Sequence, residues 1–222
     1  MIDPVQLTFL ILFGVLSIVQ LVFCFMEKDL PRMITKPFCM VALGIFVTLM
    51  VPNTPLIYTG IYLAAVGDIF LLWPKKRINF ILGTLSFIAG HICYFVFICK
   101  SLSYSIHPAV YISLAVVLTI LIFALYPLTI RVTRGIIALL GNLYFPLLLI
   151  MLAFGILLTV DNPNHWIGLL VVFGYVLFIL SDLILSYTTY VKHVQRKDFY
   201  IMLTYLVAEF LIATGLTMAV ID

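Results

Sequence analysis

A chain of 222 residues that is 65% hydrophobic and only 9% charged, with a mean hydropathy of +1.27, cannot clothe a water-soluble domain. Twelve Lys/Arg and nine Asp/Glu would leave large apolar patches facing water. Lipid must cover the outside instead, and the expected fold class is all-α, a polytopic transmembrane helical bundle.

Apolar runs long enough to span a bilayer alternate with short polar breaks. The first covers 6–26; Met1–Gln6 carries no Lys or Arg and no small-residue cleavage pattern follows, so a retained first helix is expected. Seven more lie at 34–51, 55–73, 78–99, 108–126, 135–159, 165–187 and 199–221, each near the ~20 residues that a bilayer core demands. The breaks carry charge, Pro or Asn, as in Lys28 to Pro31, Pro52 to Pro55, Pro74 to Arg77, Arg131 to Gly135, Asp161 to Asn164 and Lys192 to Asp198. None is long enough to separate domains, which points to one bundle of about eight helices over residues 1–222. Cys24, Cys39, Cys93 and Cys99 form no CxxC and read as lipid-phase thiols. Neither a disulfide framework, a metal site nor a cofactor is expected from them.

Loop charge sets the orientation. The first loop region holds Lys28, Arg32 and Lys36; the third Lys75, Lys76 and Arg77; the fifth Arg131 and Arg134; the seventh Lys192, Arg196 and Lys197. Eleven of the twelve basic residues thus fall on one side, with only Lys100 opposite, so both termini should face away from the cytoplasm. The net charge of +3 reports this topology and gives no support for a nucleic-acid partner.

Two carboxyls break the apolar runs. Asp68 and Asp182 each follow a small residue and precede aliphatic ones, with no cation adjacent in sequence. An ionisable group at membrane depth costs roughly 2.5–3.5 kcal/mol on insertion scales, so such groups face a bundle interior or a wet cavity. Each lies five residues before an expected helix end, Trp73 or Tyr187, which places both roughly 8 Å inside the cytoplasmic end. The fourth helix adds His91 and Tyr94 on one face, with Thr84 below them. The sixth adds Asn142 and Tyr144, the seventh a stripe of Tyr175, Asp182 and Ser186 with Ser181 beside it, and the eighth Tyr205 and Glu209. For every one of these the plain alternative is an interhelical hydrogen bond without chemistry. For Lys75, Lys76 and Arg77 it is a topology signal, not a phosphate site.

Gly67-Asp68-Ile69-Phe70-Leu71 echoes Ser181-Asp182-Leu183-Ile184-Leu185, and each is followed one helix later by an ionisable group, His91 or Glu209. An offset of four helices corresponds to two parallel halves about an axis along the membrane normal; chance similarity among apolar helices is the competing explanation.

At these positions the sequence resembles the YhhN-like lysoplasmalogenases. The matching pieces are Thr35-Lys36-Pro37, Gly67-Asp68 with Leu71, and Gly83, Phe87, His91 and Tyr94. Further along come Tyr144 with Met151, then Gly174, Phe178, Ser181 and Asp182, then Thr204-Tyr205 with Ala208, Leu211 and Ile212. They keep their order over residues 35–212. Glu209 departs from the pattern, which has Gln there.

The resemblance implies cleavage of the vinyl ether bond of a lysoplasmalogen, a lysophospholipid, by water to a fatty aldehyde and glycerophosphocholine or glycerophosphoethanolamine. That chemistry needs an acid that protonates carbon and an anion facing the oxocarbenium ion that results. Two carboxyls in one low-dielectric layer suit both tasks, as acid and base pairs do in glycosidases. Asp68 and Asp182 are therefore the expected catalytic pair, in unassigned order. His91, Tyr94, Asn142, Tyr144, Ser181, Tyr205 and Glu209 are expected to surround substrate, and Lys36 to meet its phosphate. A proton-coupled transporter remains the competing class, because paired intramembrane acids also serve as relays, and an inactive lipid-binding protein is a third. The compact loops favour a bacterial inner membrane over the endoplasmic reticulum.

Overall fold

The computed structural model describes residues 2–73, 76–103, 106–132, 136–190 and 194–221, with side chains left out at 123–132, 136–139 and 189–190. Lys75, Arg134 and Lys192, and the side chain of Arg131, lie outside this description, so four of the basic loop groups have no structural counterpart here. The elements are α1 (Pro4–Phe25), α2 (Asp29–Met50), α3 (Pro55–Phe70), α4 (Arg77–Ser101), α5 (Pro108–Val132), α6 (Ile136–Asp161), α7 (His165–Tyr190) and α8 (Lys197–Ile221), and no strand occurs among the described residues. α1, α2, α4, α6, α7 and α8 are long and apolar enough to cross a membrane. The chain is an integral, multi-pass membrane protein built as a helical bundle.

Helix ends follow local chemistry. Pro4, Pro55 and Pro108 open α1, α3 and α5, where a missing N–H costs nothing. The Asp3 N–H donates to Gln6 Oε1 at 2.8 Å, closing the first turn of α1. α2 begins at Asp29, five residues before the expected start at 34, because Pro31 falls in the first turn and is tolerated there. Arg32 pairs with Asp29 at 2.7 Å and reaches Asp198 at the start of α8. Across the same end, Glu27 accepts the Arg196 N–H at 3.3 Å, and the Arg196 guanidinium lies 4.0 Å from the centre of the Phe25 ring. α3 has 16 residues, about 24 Å, and stops at Phe70 rather than Trp73.

Consecutive helices pack side by side except α4 and α5; in addition α4 meets α6, and α8 meets α1, α2, α3 and α4. Of the six long spans α8 is the most enclosed. α1 is the most peripheral of them, presenting Ile11, Val15, Ile18 and Val22 outward as a lipid-facing stripe.

The two halves repeat in register. A Cβ on Gly90 would lie 2.9 Å from the Gly60 carbonyl oxygen, and one on Gly174 would lie 3.0 Å from that of Ala208. Gly60 precedes Asp68 by eight residues, as Gly174 precedes Asp182, while Gly90 precedes His91 by one, as Ala208 precedes Glu209. A second layer agrees. A Cβ on Gly67 would lie 3.2 Å from the Gly83 oxygen, and at the corresponding places Ser181 donates to the Ile201 oxygen at 3.1 Å. This correspondence makes Phe87 the counterpart of Tyr205, and the two rings meet edge to face at 6.1 Å. The sequence echo between α3–α4 and α7–α8 is thus matched by their packing contacts.

Close backbone approach makes α3–α4 intolerant of bulk. Gly90→Leu is expected to destabilise the bundle by about 1–3 kcal/mol or more, as overpacking does. Gly14→Leu, where nothing lies within 4 Å, should leave it unchanged. Thermal unfolding and gel filtration in detergent read both.

Candidate active site

Asp68 is 1% exposed near the end of α3, yet it is not alone. The Lys36 ammonium on α2 lies 2.9 Å from Oδ1, and the Tyr205 hydroxyl on α8 donates to Oδ2 at 2.9 Å. The ammonium contact is ionic, since Oδ1 has no hydrogen-bond donor in good geometry among the described residues. Lys36 therefore serves as counter-ion to Asp68. At sequence level it was expected on the phosphate, because an ion pair between separate helices has no spacing to betray it.

Asp182 on α7 has different company. The Tyr144 hydroxyl on α6 comes near its carboxyl, and Lys36 acts on it only through its charge. Its Oδ2 is buried with no partner among the described residues. Glu209 on α8 is 1% exposed, lies within electrostatic range of both aspartates, and accepts the Tyr94 hydroxyl at 3.4 Å. Glu209 thus feels the charge of both aspartates.

The two aspartates are not equally far from their helix ends. Asp68 sits two residues before the end of α3, whereas α7 continues eight residues past Asp182.

Beside the carboxyls stands an aromatic box. His91 on α4, 2% exposed, has Phe178 at 4.8 Å, Tyr175 at 5.7 Å, Tyr144 at 5.9 Å and Tyr94 at 6.0 Å between ring centres. Its Nδ1 is 3.3 Å from the Tyr175 hydroxyl, and Nε2 has no partner among the described residues. Phe87 and Phe178 appear in the family motifs but were not assigned to the site; aromatic residues are too common in apolar helices to stand out.

Lys36, Asp68, His91, Tyr94, Tyr144, Asp182, Tyr205 and Glu209 converge. Ser181 and Asn142 do not join them. The Ser181 hydroxyl is spent on the Ile201 carbonyl, tying α7 to α8. Asn142 is two positions from Tyr144, about 200° around the helix, and its Oδ1 is buried without a partner among the described residues. Thr84 donates within its own helix to Phe80 at 2.9 Å, and Ser186 is exposed. Among the described residues no group of three or more His, Cys, Asp or Glu is placed to hold a metal ion.

Pro37 follows Lys36 directly and Pro146 follows Tyr144 by two, each inside its helix. A helical proline removes one backbone hydrogen bond and bends the axis, here beside the polar group that meets each aspartate.

The arrangement offers a buried anion held by a cation, a second carboxyl with an open oxygen, and aromatic neighbours that suit a cationic transition state. No solved structure matches the chain. The YhhN family model matches residues 31–216, a stretch that contains every converging residue. The chain belongs to the YhhN family.

Proposed function

We propose that the protein is a membrane hydrolase that cleaves the vinyl ether bond of lysoplasmalogens, releasing a fatty aldehyde and glycerophosphocholine or glycerophosphoethanolamine. The observation that carries this reading is the convergence on one site of two aspartates with unequal partners, the buried Asp68 with Lys36 and Tyr205 and the partly buried Asp182 with Tyr144. Family membership supplies the substrate class.

A vinyl ether is hydrolysed by a proton delivered to its β-carbon, water addition to the resulting oxocarbenium ion, and collapse of a hemiacetal. A site that excludes bulk water favours this sequence, because the cation forms beside fixed carboxyl and aromatic groups instead of relaxing solvent. The basic character of the odd-numbered loops supports a site toward the cytoplasmic side, where a lysolipid would keep its headgroup in the polar layer and its ether linkage just below. Water is the co-substrate, and the carboxyls act without a cofactor.

Two expectations follow. Asp68→Asn and Asp182→Asn, purified in detergent, should each lose about 10²–10⁴-fold in aldehyde release from a lysoplasmalogen, the range ascribed to positioned acids and bases. Turnover near wild type in both would end the proposal. Glu209→Leu should lower turnover about tenfold or more by stranding the Tyr94 hydroxyl, and Glu209→Gln should recover most of it, because a carboxamide still accepts that hydrogen bond.

A further inference from the structure

The internal repeat sets two aspartates at corresponding places, and the residues around them break its symmetry. Asp68 receives a hydroxyl from Tyr205. The corresponding residue for Asp182 is Phe87, which has none to give and packs its ring against Phe178 and Tyr205 at 6.3 and 6.1 Å. The helix before each acid differs too. α2 brings an ammonium to 2.9 Å from Asp68, and α6 brings Asp182 a neutral phenol. Asp182 keeps one buried oxygen with no partner among the described residues.

Asp68 is buried and Asp182 partly so, with its Oδ2 enclosed, which makes the difference in partners matter at both. A carboxylate removed from water is tolerable when an opposite charge and a hydroxyl donor meet it, and costly when one neutral donor is all it has. Asp68 has the surroundings of an anion. Asp182 has those of a carboxylic acid whose open oxygen carries a proton ready to leave.

Resting on the ether-hydrolase reading above, we infer that this broken symmetry assigns the two roles. Asp182 is the acid that protonates the vinyl carbon, Asp68 is the base, and Lys36 is a positioning residue that keeps Asp68 ionised and not a phosphate ligand.

The atoms balance over one cycle. The Asp182 O–H proton goes to the β-carbon, the C=C π pair forms the new C–H bond, and positive charge spreads over the adjacent carbon and the ether oxygen. The Asp68 carboxylate takes a proton from water as the water oxygen bonds to that carbon, giving a neutral hemiacetal. Asp182, now a carboxylate, removes the hemiacetal hydroxyl proton. The bond to the glycerol oxygen breaks, and that oxygen takes the proton held by Asp68. Aldehyde and alcohol leave, with both side chains restored.

The assignment is tested in D2O with purified Asp68→Asn and Asp182→Asn, each checked as monodisperse. With only the base removed, Asp182 still protonates carbon and the cation reverts. Asp68→Asn should therefore exchange deuterium into the vinyl β-position of unhydrolysed lysoplasmalogen, seen as a one-mass-unit gain, while Asp182→Asn should exchange none. Exchange in Asp182→Asn and not in Asp68→Asn, or in neither, overturns the assignment. Absence of aldehyde from the wild type would instead remove the reading on which it rests.

Lys36 is tested with two substrates, a lysoplasmalogen and the matching 1-alkenylglycerol without phosphate. Lys36→Met should lower kcat by a similar factor of about 10² or more on both, with partial recovery in Lys36→Arg. A loss confined to KM for the phosphate-bearing substrate overturns the counter-ion role.

Discussion

The site depends on a buried ion pair that joins two helices. Asp68 and Lys36 lie 32 residues apart in sequence, on α2 and α3, with a third helix bonded to the same carboxyl through Tyr205. Such a pair gains little net stability, since desolvation offsets most of its Coulomb energy, while removing one partner strands a charge at a cost of about 3–5 kcal/mol. Its value is positional. The Lys36 side chain is 21% exposed, so its stem runs from the boundary of the bundle to a carboxylate that is 1% exposed. Around that fixed anion the bundle brings Glu209 of α8, and the same ammonium also acts on Asp182 of α7.

Symmetry explains how one fold supplies two acids at one place. The α3–α4 and α7–α8 pairs use the same close backbone approaches, Gly60 with Gly90 and Gly174 with Ala208, and so carry Asp68 and Asp182 into corresponding positions. Divergence then separates their surroundings: a lysine in α2 and a tyrosine in α6, a tyrosine in α8 and a phenylalanine in α4. Pairs of ionisable groups whose environments differ in this way are how one site holds both an acid and a base. The family match covers both halves, consistent with the chain working as a repeat whose copies have specialised.

Much of the architecture was legible because membrane solvent leaves few choices. Run length and the need to satisfy every backbone group give helices of about the right number and place. The larger departures fell at α2, α3 and α5, the last running to Val132 instead of 126. Lys28 to Pro31 looks like a loop, but a proline in a first turn interrupts nothing, so α2 starts at Asp29. α3 stops early, an outcome that apolarity alone cannot show, since Leu71 to Trp73 are as greasy as the helix before them. Among site residues, the aspartates announced themselves by their burial cost. Tyr94, Tyr205 and Glu209 followed from spacing on their helices. Lys36 was found but its ion pair with Asp68 was not, and Ser181 was drawn in by adjacency to Asp182 although its hydroxyl points to α8. Both depend on which helices touch, and a periodic pattern in one helix does not encode its neighbour.

The central claim is that the buried carboxyls deliver a proton to carbon, and substrate chemistry separates that from every other hydrolytic route. The purified wild-type protein should be offered three lysophospholipids of equal chain length, linked at the first glycerol carbon by a vinyl ether, a saturated ether or an ester. Only the vinyl ether can be cleaved by protonation at carbon, so the account predicts release of a fatty aldehyde from that lipid and no product from the other two. Release of fatty acid from the ester, or no product from the vinyl ether, would contradict it.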